Sequence, residues 1–338
     1  MNAMVEGVFA RNGGLLTRRQ AIEAGVPVHE IDRFVRSGAW VAVRRGVYAL
    51  RHHWEGLDDY RGRPLLEARA ASAAMLMPHV MSHDSAALEL GMEILLPRPV
   101  LAHVTRFGDL GGRTDYGVKH HLAPFTPEQV VFVEGRPVLN AARTAADIAR
   151  EHGERHGLVA ADSARRLGVT DADFAVVLAQ MRNWPFVTVA RSSVELSDGG
   201  SDNAGESLGR HLVLELGFGR PQTQFGLTDG GRTVWCDLRV GRHIFEFDGR
   251  FKYRPVSEGG VASKTPDEVL WEEKERQDFV TGFKLGMSRI VWDDLWGPRR
   301  EVAKARLRRE YLDTHARFGD SIVDLAPYIV RGPRPRRS

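Results

Sequence analysis

Short amphipathic segments separated by turn residues fill residues 1–50. Thr17 is a good N-cap and Gly25 a good C-terminal stop, so these two residues bound one helix. The apolar pattern predicts three helices, over residues 1–11, 18–24 and 27–36. Two apolar runs then flank a turn and predict a hairpin of residues 40–43 and 47–50. Three helices followed by a hairpin are typical of a winged helix-turn-helix.

Arginines occupy the positions of this motif that meet DNA. The recognition helix of such a motif enters the major groove, and the wing contacts phosphate. Here that helix projects His29 and Glu30 together with two arginines away from its apolar stripe. The predicted DNA-binding residues are Arg18, Arg19, Arg33, Arg36, Arg44 and Arg45. The alternative is a winged helix that contacts only protein.

The same segment resembles a known family. Residues 14–21 (GLLTRRQA), 25–26 and 45–50 (RGVYAL) resemble the N-terminal domain of AbiEi-type antitoxins of type IV toxin–antitoxin systems. The RGVYAL element is the more specific part. The resemblance implies a repressor of its own operon, with double-stranded DNA and a cognate toxin as partners.

Residues 51–195 form a mixed α/β middle region. The runs 82–87 (SHDSAA) and 140–150 (NAARTAADIAR) also resemble the region that follows the winged helix in antitoxin-like proteins. The pattern predicts helices over 64–77, 82–90, 141–152, 157–167 and 171–181, and strands over 100–106 and 118–122.

Two groups of polar residues in this region invite a catalytic or metal-site interpretation. Ser82, His83 and Asp84 are consecutive, and a hydrolytic triad is a spatial arrangement that such neighbours do not form, so Ser82 is interpreted as a helix cap. The histidine pairs 52–53 and 120–121 point adjacent side chains in different directions. No histidine metal site is therefore predicted.

A polar, glycine-rich linker at residues 196–203 marks the start of a C-terminal domain that we predict to span 196–315. Its apolar pattern predicts, in order, a helix, three strands, a helix and a strand. These elements are predicted at 204–216, 222–225, 233–240, 243–248, 269–285 and 288–292. Residues 316–338 are predicted as a tail, and its Arg- and Pro-rich end at 331–338 as disordered.

Three carboxylates lie on two adjacent apolar strands of this domain: Asp237, Glu246 and Asp248. Residues two apart on a strand share a face, so Glu246 and Asp248 are expected together, with Asp237 across the hairpin. A charge inside an apolar strand needs a compensating partner. The interpretation we favour is Mg²⁺ or Mn²⁺, since hard cations prefer oxygen ligands.

The element order and residues 246–249 (EFDG) resemble the PD-(D/E)XK, or restriction-endonuclease-like, superfamily, particularly the very short patch repair branch. Asp237 and Glu246 would then ligate the metal, and Asp248 or Glu206 would complete its shell. A metal of this kind activates water for phosphodiester hydrolysis.

The lysine of the superfamily motif is displaced in this chain. The position two residues after Glu246 holds Asp248 instead, so Lys252 or Lys274 would serve the site. The alternative is a satisfied polar network without metal, in which Asp237 pairs with an arginine, Arg239 or Arg276. Glu246 would pair with Arg242 in that case.

Composition adds three constraints. Basic clusters at 11–19, 33–45, 298–309 and 331–337 suit a polyanion better than an acidic substrate, although net charge is only +3. A single cysteine, Cys236, excludes an internal disulfide. No apolar run is long enough to span a bilayer and no signal peptide is recognisable, so a cytoplasmic protein is expected.

The fold class predicted is therefore α/β multidomain. It comprises a winged helix-turn-helix (1–50), a mixed α/β middle region (51–195) and a restriction-endonuclease-like αβββαβ core within 196–315. The leading functional hypothesis is a DNA-binding protein with a Mg²⁺-dependent endodeoxyribonuclease domain. The alternatives are a non-catalytic antitoxin or repressor that uses the nuclease-like fold as a binding module, and a nuclease acting on RNA.

Overall fold

The computed structural model describes residues 3–108, 111–249, 266–332 and 334. The chain forms two compact units, Met1–Glu195 and Leu196–Ser338. The first unit contains both the predicted winged helix and the predicted middle region. The second contains the predicted C-terminal domain together with the residues that follow it.

The first unit opens with three helices and a small sheet. Strand β1 pairs antiparallel with β3, and β3 pairs antiparallel with β2. Thr17 caps α2 in a reciprocal capping box with Gln20, as the sequence predicts for the cap. The elements are α1 (Ala3–Arg11), β1 (Leu15–Thr17), α2 (Arg18–Glu23), α3 (Val28–Arg36), β2 (Trp40–Arg44) and β3 (Val47–Leu50).

An aromatic cluster fixes α3 against this sheet. Trp40 is buried and stacks on Phe34 of α3, with ring centroids 4.9 Å apart. Phe9 of α1 meets the same indole edge-on at 5.4 Å. Ile31 of α3 is fully buried in the same cluster. Because α3 buries this stripe, its opposite face points to solvent.

A second, six-stranded sheet follows, in the order β6-β7-β5-β4-β9-β8. Strands β5 and β7 are parallel neighbours, with Thr105 opposite His121. The elements are α4 (Arg51–Glu55), α5 (Gly62–Ala73), β4 (Val80–Met81), α6 (His83–Glu89), β5 (Ala102–Arg106), β6 (Gly111–Asp115), β7 (Val118–Leu122), β8 (Val130–Val133), β9 (Arg136–Leu139), α7 (Ala141–His152), α8 (Glu154–Arg166), α9 (Asp171–Gln180) and α10 (Val187–Leu196).

Small residues let the helices of this region approach closely. Ala145, Ala149, Ala160 and Ala164 of α7 and α8 are buried in one cluster. A Cβ added at Gly157 of α8 would lie 2.3 Å from the Cβ of Ala149 in α7. Glycine is therefore required where these two helices cross.

The second unit has the element order predicted from the sequence: helix, three strands, helix, strand. Its four-stranded sheet has the order β10-β11-β12-β13, in which β12 and β13 are parallel and the other pairs antiparallel. The elements are α11 (Ala204–Leu214), β10 (Gln222–Thr228), β11 (Thr233–Val240), β12 (His243–Asp248), α12 (Pro266–Gly282), β13 (Gly286–Val291) and α13 (Gly297–Phe318).

Helices cover both faces of this sheet. Helix α11 packs on β12, where Gly205 lies against the ring of Phe247. Val280 of α12 joins Cys236 and Ile244 in a buried cluster, which places α12 over the face that carries these two side chains. His243 of β12 bonds Thr314 of α13 at 2.7 Å.

Residues beyond 315 take part in this unit. A 3-10 segment, Val323–Tyr328, buries Leu325 in the cluster beneath α12. Ile329 forms an isolated bridge with Leu227 of β10. Up to residue 330, the predicted tail is therefore packed against the sheet; residues 333 and 335–338 of its Arg- and Pro-rich end lie outside the described residues.

No helix within the described residues has the length and apolarity required to cross a membrane.

Candidate nucleic-acid interface and carboxylate cluster

The solvent face of α3 carries the predicted recognition residues. His29, Arg33 and Arg36 are exposed, and Arg33 keeps 64% of its side chain accessible. Arg33 forms a 2.9 Å ion pair with Glu30. The Nε of Arg36 donates a 3.2 Å hydrogen bond to the backbone carbonyl of Asp32. These contacts lie on the surface, where ion pairs are weak and exchange readily. The arginines are thus ordered yet available to a polyanion.

Arg18 and Arg19 begin α2 beside this face. Arg18 Nη1 lies 3.3 Å from both Asp32 of α3 and the hydroxyl of Tyr48 in β3. It therefore links β3 to α3. Arg19 is more exposed, with 81% of its side chain accessible and a single 3.2 Å ion pair to Glu23.

The two wing arginines differ. Arg45 lies in the turn between β2 and β3 and is exposed. Arg44 donates a hydrogen bond to the carbonyl of Tyr116, in the turn between β6 and β7, and burial lowers its pKa. Its side chain is thus held by the protein. Of the pair, Arg45 is the one presented at the wing tip.

In the second unit, Asp237 lies where the strand ladder is interrupted. Regular pairing of β11 with β12 runs from Val240 to Leu238 and stops there. On the other side, Gln224 of β10 has a positive φ of 48°, between the registered pairs of Thr223 and Phe225. Asp237 Oδ2 accepts a hydrogen bond from the Phe247 backbone at 2.8 Å. The carboxylate thus reaches across to β12.

Glu246 is buried and paired with an arginine. Arg276 of α12 donates to its carboxylate at 2.8 Å and to the Trp235 carbonyl at 2.8 Å. Burial, and then the charge of Asp237, raise the pKa of Glu246 to about 8, although Arg276 acts in the opposite direction. Arg242, considered as its partner from the sequence, instead bonds Asp324 and the carbonyls of Ser321 and Phe283.

Asp248 shares the α12 side of the sheet with Glu246, as strand alternation predicts. Its Oδ2 lies 3.7 Å from Arg289 of β13. Glu273 of α12 binds Arg289 at 2.7 Å and lies 3.5 Å from Arg276. Carboxylates and guanidinium groups therefore alternate along this face, and each buried negative charge has a positive neighbour.

Glu206 is engaged at the start of α11. One of its oxygens accepts from the Asp202 backbone and the other from the Asn203 amide, each at 2.7 Å. Asn203 in turn accepts from the Glu206 backbone at 3.0 Å. This reciprocal arrangement caps the helix.

Of the two lysines predicted for the site, only Lys274 lies within the described residues. Lys274 of α12 is exposed, and its ammonium lies 6.0 Å from the ring centre of Trp271. Lys252 lies outside the described residues. The assignment of a lysine to the site stays a prediction.

The carboxylates fit a divalent cation poorly as they are arranged. Within the described residues, two sets of three potential ligands have their ligand atoms within 4.8 Å of one another. Both sets lie in the first unit, and neither includes Asp237, Glu246 or Asp248. Arg276 supplies beside Glu246 the charge that an ion would supply. The Mg²⁺ or Mn²⁺ site therefore stays a prediction, and the contacts favour the polar-network alternative.

Sequence reasoning missed a cluster of histidines in the first unit. His83, His103 and His121 converge, as do Asp84, His103 and His152. Ser82 occupies an N-cap position, but its side chain makes no cap bond and lies 3.0 Å from His83 Nδ1. Alternation in β7 turns His120 away from His121, so the pair itself gave no signal. The histidines of β5 and β7 meet because these two strands pair in parallel, and the sequence alone does not reveal that pairing.

Comparison with known proteins supports the N-terminal assignment. Residues 7–51, from the second half of α1 to the end of β3 and the first residue of α4, match the model of a family described as "Transcriptional regulator, AbiEi antitoxin". The resemblance predicted for this segment is confirmed. No curated protein matches the chain. The resemblance of the second unit to nucleases stays a prediction.

Proposed function

We propose that this protein is a DNA-binding transcriptional regulator of the antitoxin type. The observation that carries the proposal is the exposed arginine face of α3 within the segment that matches the AbiEi regulator family. A cognate toxin is the partner that this class implies.

The geometry supports docking of α3 in the major groove. In a helix-turn-helix, the N-terminal residues of the recognition helix reach base edges. His29, near the start of α3, would therefore contact the bases. Arg33 and Arg36 lie one and two turns further along the exposed face, where phosphates can replace their surface partners. Arg45 at the wing tip adds a phosphate contact. Arg44 positions the wing through Tyr116.

The test is titration of the full-length protein with a duplex from the promoter of its own operon, followed by fluorescence anisotropy at several salt concentrations. We expect the double variant Arg33→Ala/Arg36→Ala to bind at least tenfold more weakly. Its salt slope should fall by about 0.9 for each phosphate that the variant no longer neutralises.

The matched control is Arg317→Ala, which removes an arginine of α13 that lies outside the predicted basic clusters, is as exposed as Arg33 and is likewise paired with a carboxylate. This control should bind like the wild type. Equal binding by the α3 variant and the wild type would refute the proposal.

A second candidate function is metal-dependent hydrolysis of DNA phosphodiesters by the second unit. The order helix, three strands, helix, strand and the presence of Asp237 and Glu246 on adjacent strands favour it. A metal, when bound, would supply an activated water, and Asp237 and Glu246 would hold it. Such binding requires Arg276 to release Glu246.

Calorimetric titration of Mg²⁺ and Mn²⁺, with plasmid nicking on the same samples, tests this candidate. A nuclease should lose both metal binding and nicking in Asp237→Ala and in Glu246→Ala, while DNA binding is retained. Absence of metal binding in the wild type would leave a regulator whose second unit is a binding module.

A further inference from the structure

A buried carboxylate in the first unit faces two imidazoles. Asp84 lies in the first turn of α6, His103 on β5, and His152 at the end of α7. Asp84 and His103 are 1% and 2% exposed, respectively. Three separate elements therefore deliver nitrogen and oxygen ligand atoms to one interior point.

The distances are compatible with ligands that share one ion, although the contact of His152 with Asp84 is in itself a hydrogen bond. His152 Nε2 lies 3.0 Å from Asp84 Oδ2, and His103 Nε2 lies 3.7 Å from the same oxygen. Two ligand atoms bound to one tetrahedral zinc ion lie about 3.3 Å apart, given bonds of about 2.0–2.1 Å. The observed separations bracket this value.

Ring orientation distinguishes this triad from its neighbour. The rings of His103 and His152 are inclined at 73°, so that in-plane lone pairs from different directions can meet. The other converging set contains His83 and His121, whose rings are stacked at 3.8 Å and only 12° apart. Lone pairs of two stacked parallel rings do not converge on one ion without rotation of a ring.

We propose that Asp84, His103 and His152 bind one divalent transition-metal ion of the Zn²⁺ class. Imidazole nitrogens with a carboxylate suit zinc and its neighbours in the first transition row, whereas Mg²⁺ and Ca²⁺ prefer oxygen alone. The ion links α6, β5 and α7 and so stabilises the first unit.

His121 supports the site as a positioning residue. Its Nε2 lies 3.0 Å from His103 Nδ1, which leaves the Nε2 of His103 for the metal. A hydrogen bond to the second nitrogen of a ligating histidine fixes the orientation of its ring. His121 and His83 also line a cavity of about 460 Å³ beside the triad, together with Lys119, Arg143 and Arg150.

The experiment uses the full chain without an affinity tag, stripped with a chelator and dialysed against Zn²⁺. Bound zinc is measured per chain, and Co²⁺ is added separately to record the visible absorption of a nitrogen- and oxygen-ligated ion. The wild type should bind one zinc more than Asp84→Asn does, with a rise in melting temperature that Asp84→Asn lacks. Asp84→Asn and His152→Gln should each weaken binding at least 100-fold, and His121→Gln by about 10–100-fold.

The matched control is His120→Gln, on the same strand as His121 but outside both converging sets. It should bind zinc like the wild type, and so should Asp237→Ala, which excludes the second unit as the source. Wild type without bound zinc would overturn the proposal, as would unchanged affinity in His152→Gln. His152 ends its helix and is less buried than Asp84, so this variant decides the matter if Asp84→Asn does not fold.

Discussion

At the residue scale, the central feature of the second unit is a buried carboxyl group whose ionisation depends on its neighbours. Glu246 is shielded from water and lies near Asp237, and both effects disfavour its charge. Arg276 favours the charged form of Glu246. Burial lowers the pKa of Arg276, but the nearby Glu246 carboxylate outweighs this effect and raises it overall, so the guanidinium stays protonated. The balance makes stability sensitive to pH in the neutral range.

We expect the free energy of unfolding to fall as pH rises through this range. With a folded pKa of about 8 against 4.5 for the ordinary group, the folded state binds more protons than the unfolded state between these values. The contribution is thus full below about pH 4.5 and is lost through about pH 8. Between pH 5 and pH 8, the free energy of urea unfolding of the wild type should fall by about 1–3 kcal/mol more than that of Glu246→Gln. A constant difference would contradict the assignment.

Removal of the guanidinium should be costly. At pH 9, where Glu246 is charged, Arg276→Ala leaves this carboxylate buried without its ion-pair partner, a change that typically costs about 3–5 kcal/mol. The cost should be larger at pH 9 than at pH 6, where protonation of Glu246 relieves it. Arg299→Ala, which breaks an exposed ion pair, should change the free energy of unfolding by less than about 1 kcal/mol.

Single residues show where sequence reasoning succeeds. Asp237 and Glu246 were found because charge on an apolar strand is visible in the sequence. Arg276 was considered as a partner for Asp237, but the structure gives it to Glu246, since that choice depends on how α12 sits over the sheet. The Asp84 triad was missed because its members come from three elements distant in sequence.

At the element scale, some short strands were predicted and others were not: β3 and β7 have the predicted bounds, 47–50 and 118–122. The boundaries of β11, β12 and α7 are those predicted. Strands β1, β4, β6, β8 and β9, and helix α10, were missed. The missed strands have two to five residues and little alternation of their own, because they are defined by their partners. β1, for example, extends over three residues that pair with β3.

The close packing of α11 on β12 leaves no space for a side chain at Gly205. A Cβ at position 205 would lie 2.1 Å from the Phe247 ring, so Gly205→Ala should lower the free energy of unfolding by about 1–3 kcal/mol. Gly282→Ala is the matched control, because its Cβ would meet nothing within 4 Å. It should be neutral or slightly stabilising. Equal effects in urea unfolding would contradict the packing.

At the scale of the whole molecule, the chain passes between its two units a single time, from Glu195 to Leu196. Each unit has its own buried clusters, exemplified by Trp40 and Ala149 in the first and by Cys236 in the second. Independent cores of this size normally support independent folding.

We expect fragments 1–195 and 196–338 each to unfold cooperatively when produced alone. The first fragment should retain the promoter affinity of the full chain, because α3 and the wing lie within it. Circular dichroism melts and anisotropy titrations of both fragments test this. A first fragment that folds but binds at least tenfold more weakly would show that the second unit contributes to DNA binding.

The burial of Cys236 has a practical consequence for spectroscopy. It is the one cysteine of the chain, it is fully buried, and burial raises the pKa of its thiol. Maleimide reagents attack the accessible thiolate, so they should leave native protein unmodified. A cysteine introduced at an exposed position, such as His29→Cys on α3, would then be the only cysteine to react with a fluorophore. The natural sequence is therefore ready for single-site labelling without removal of a native thiol.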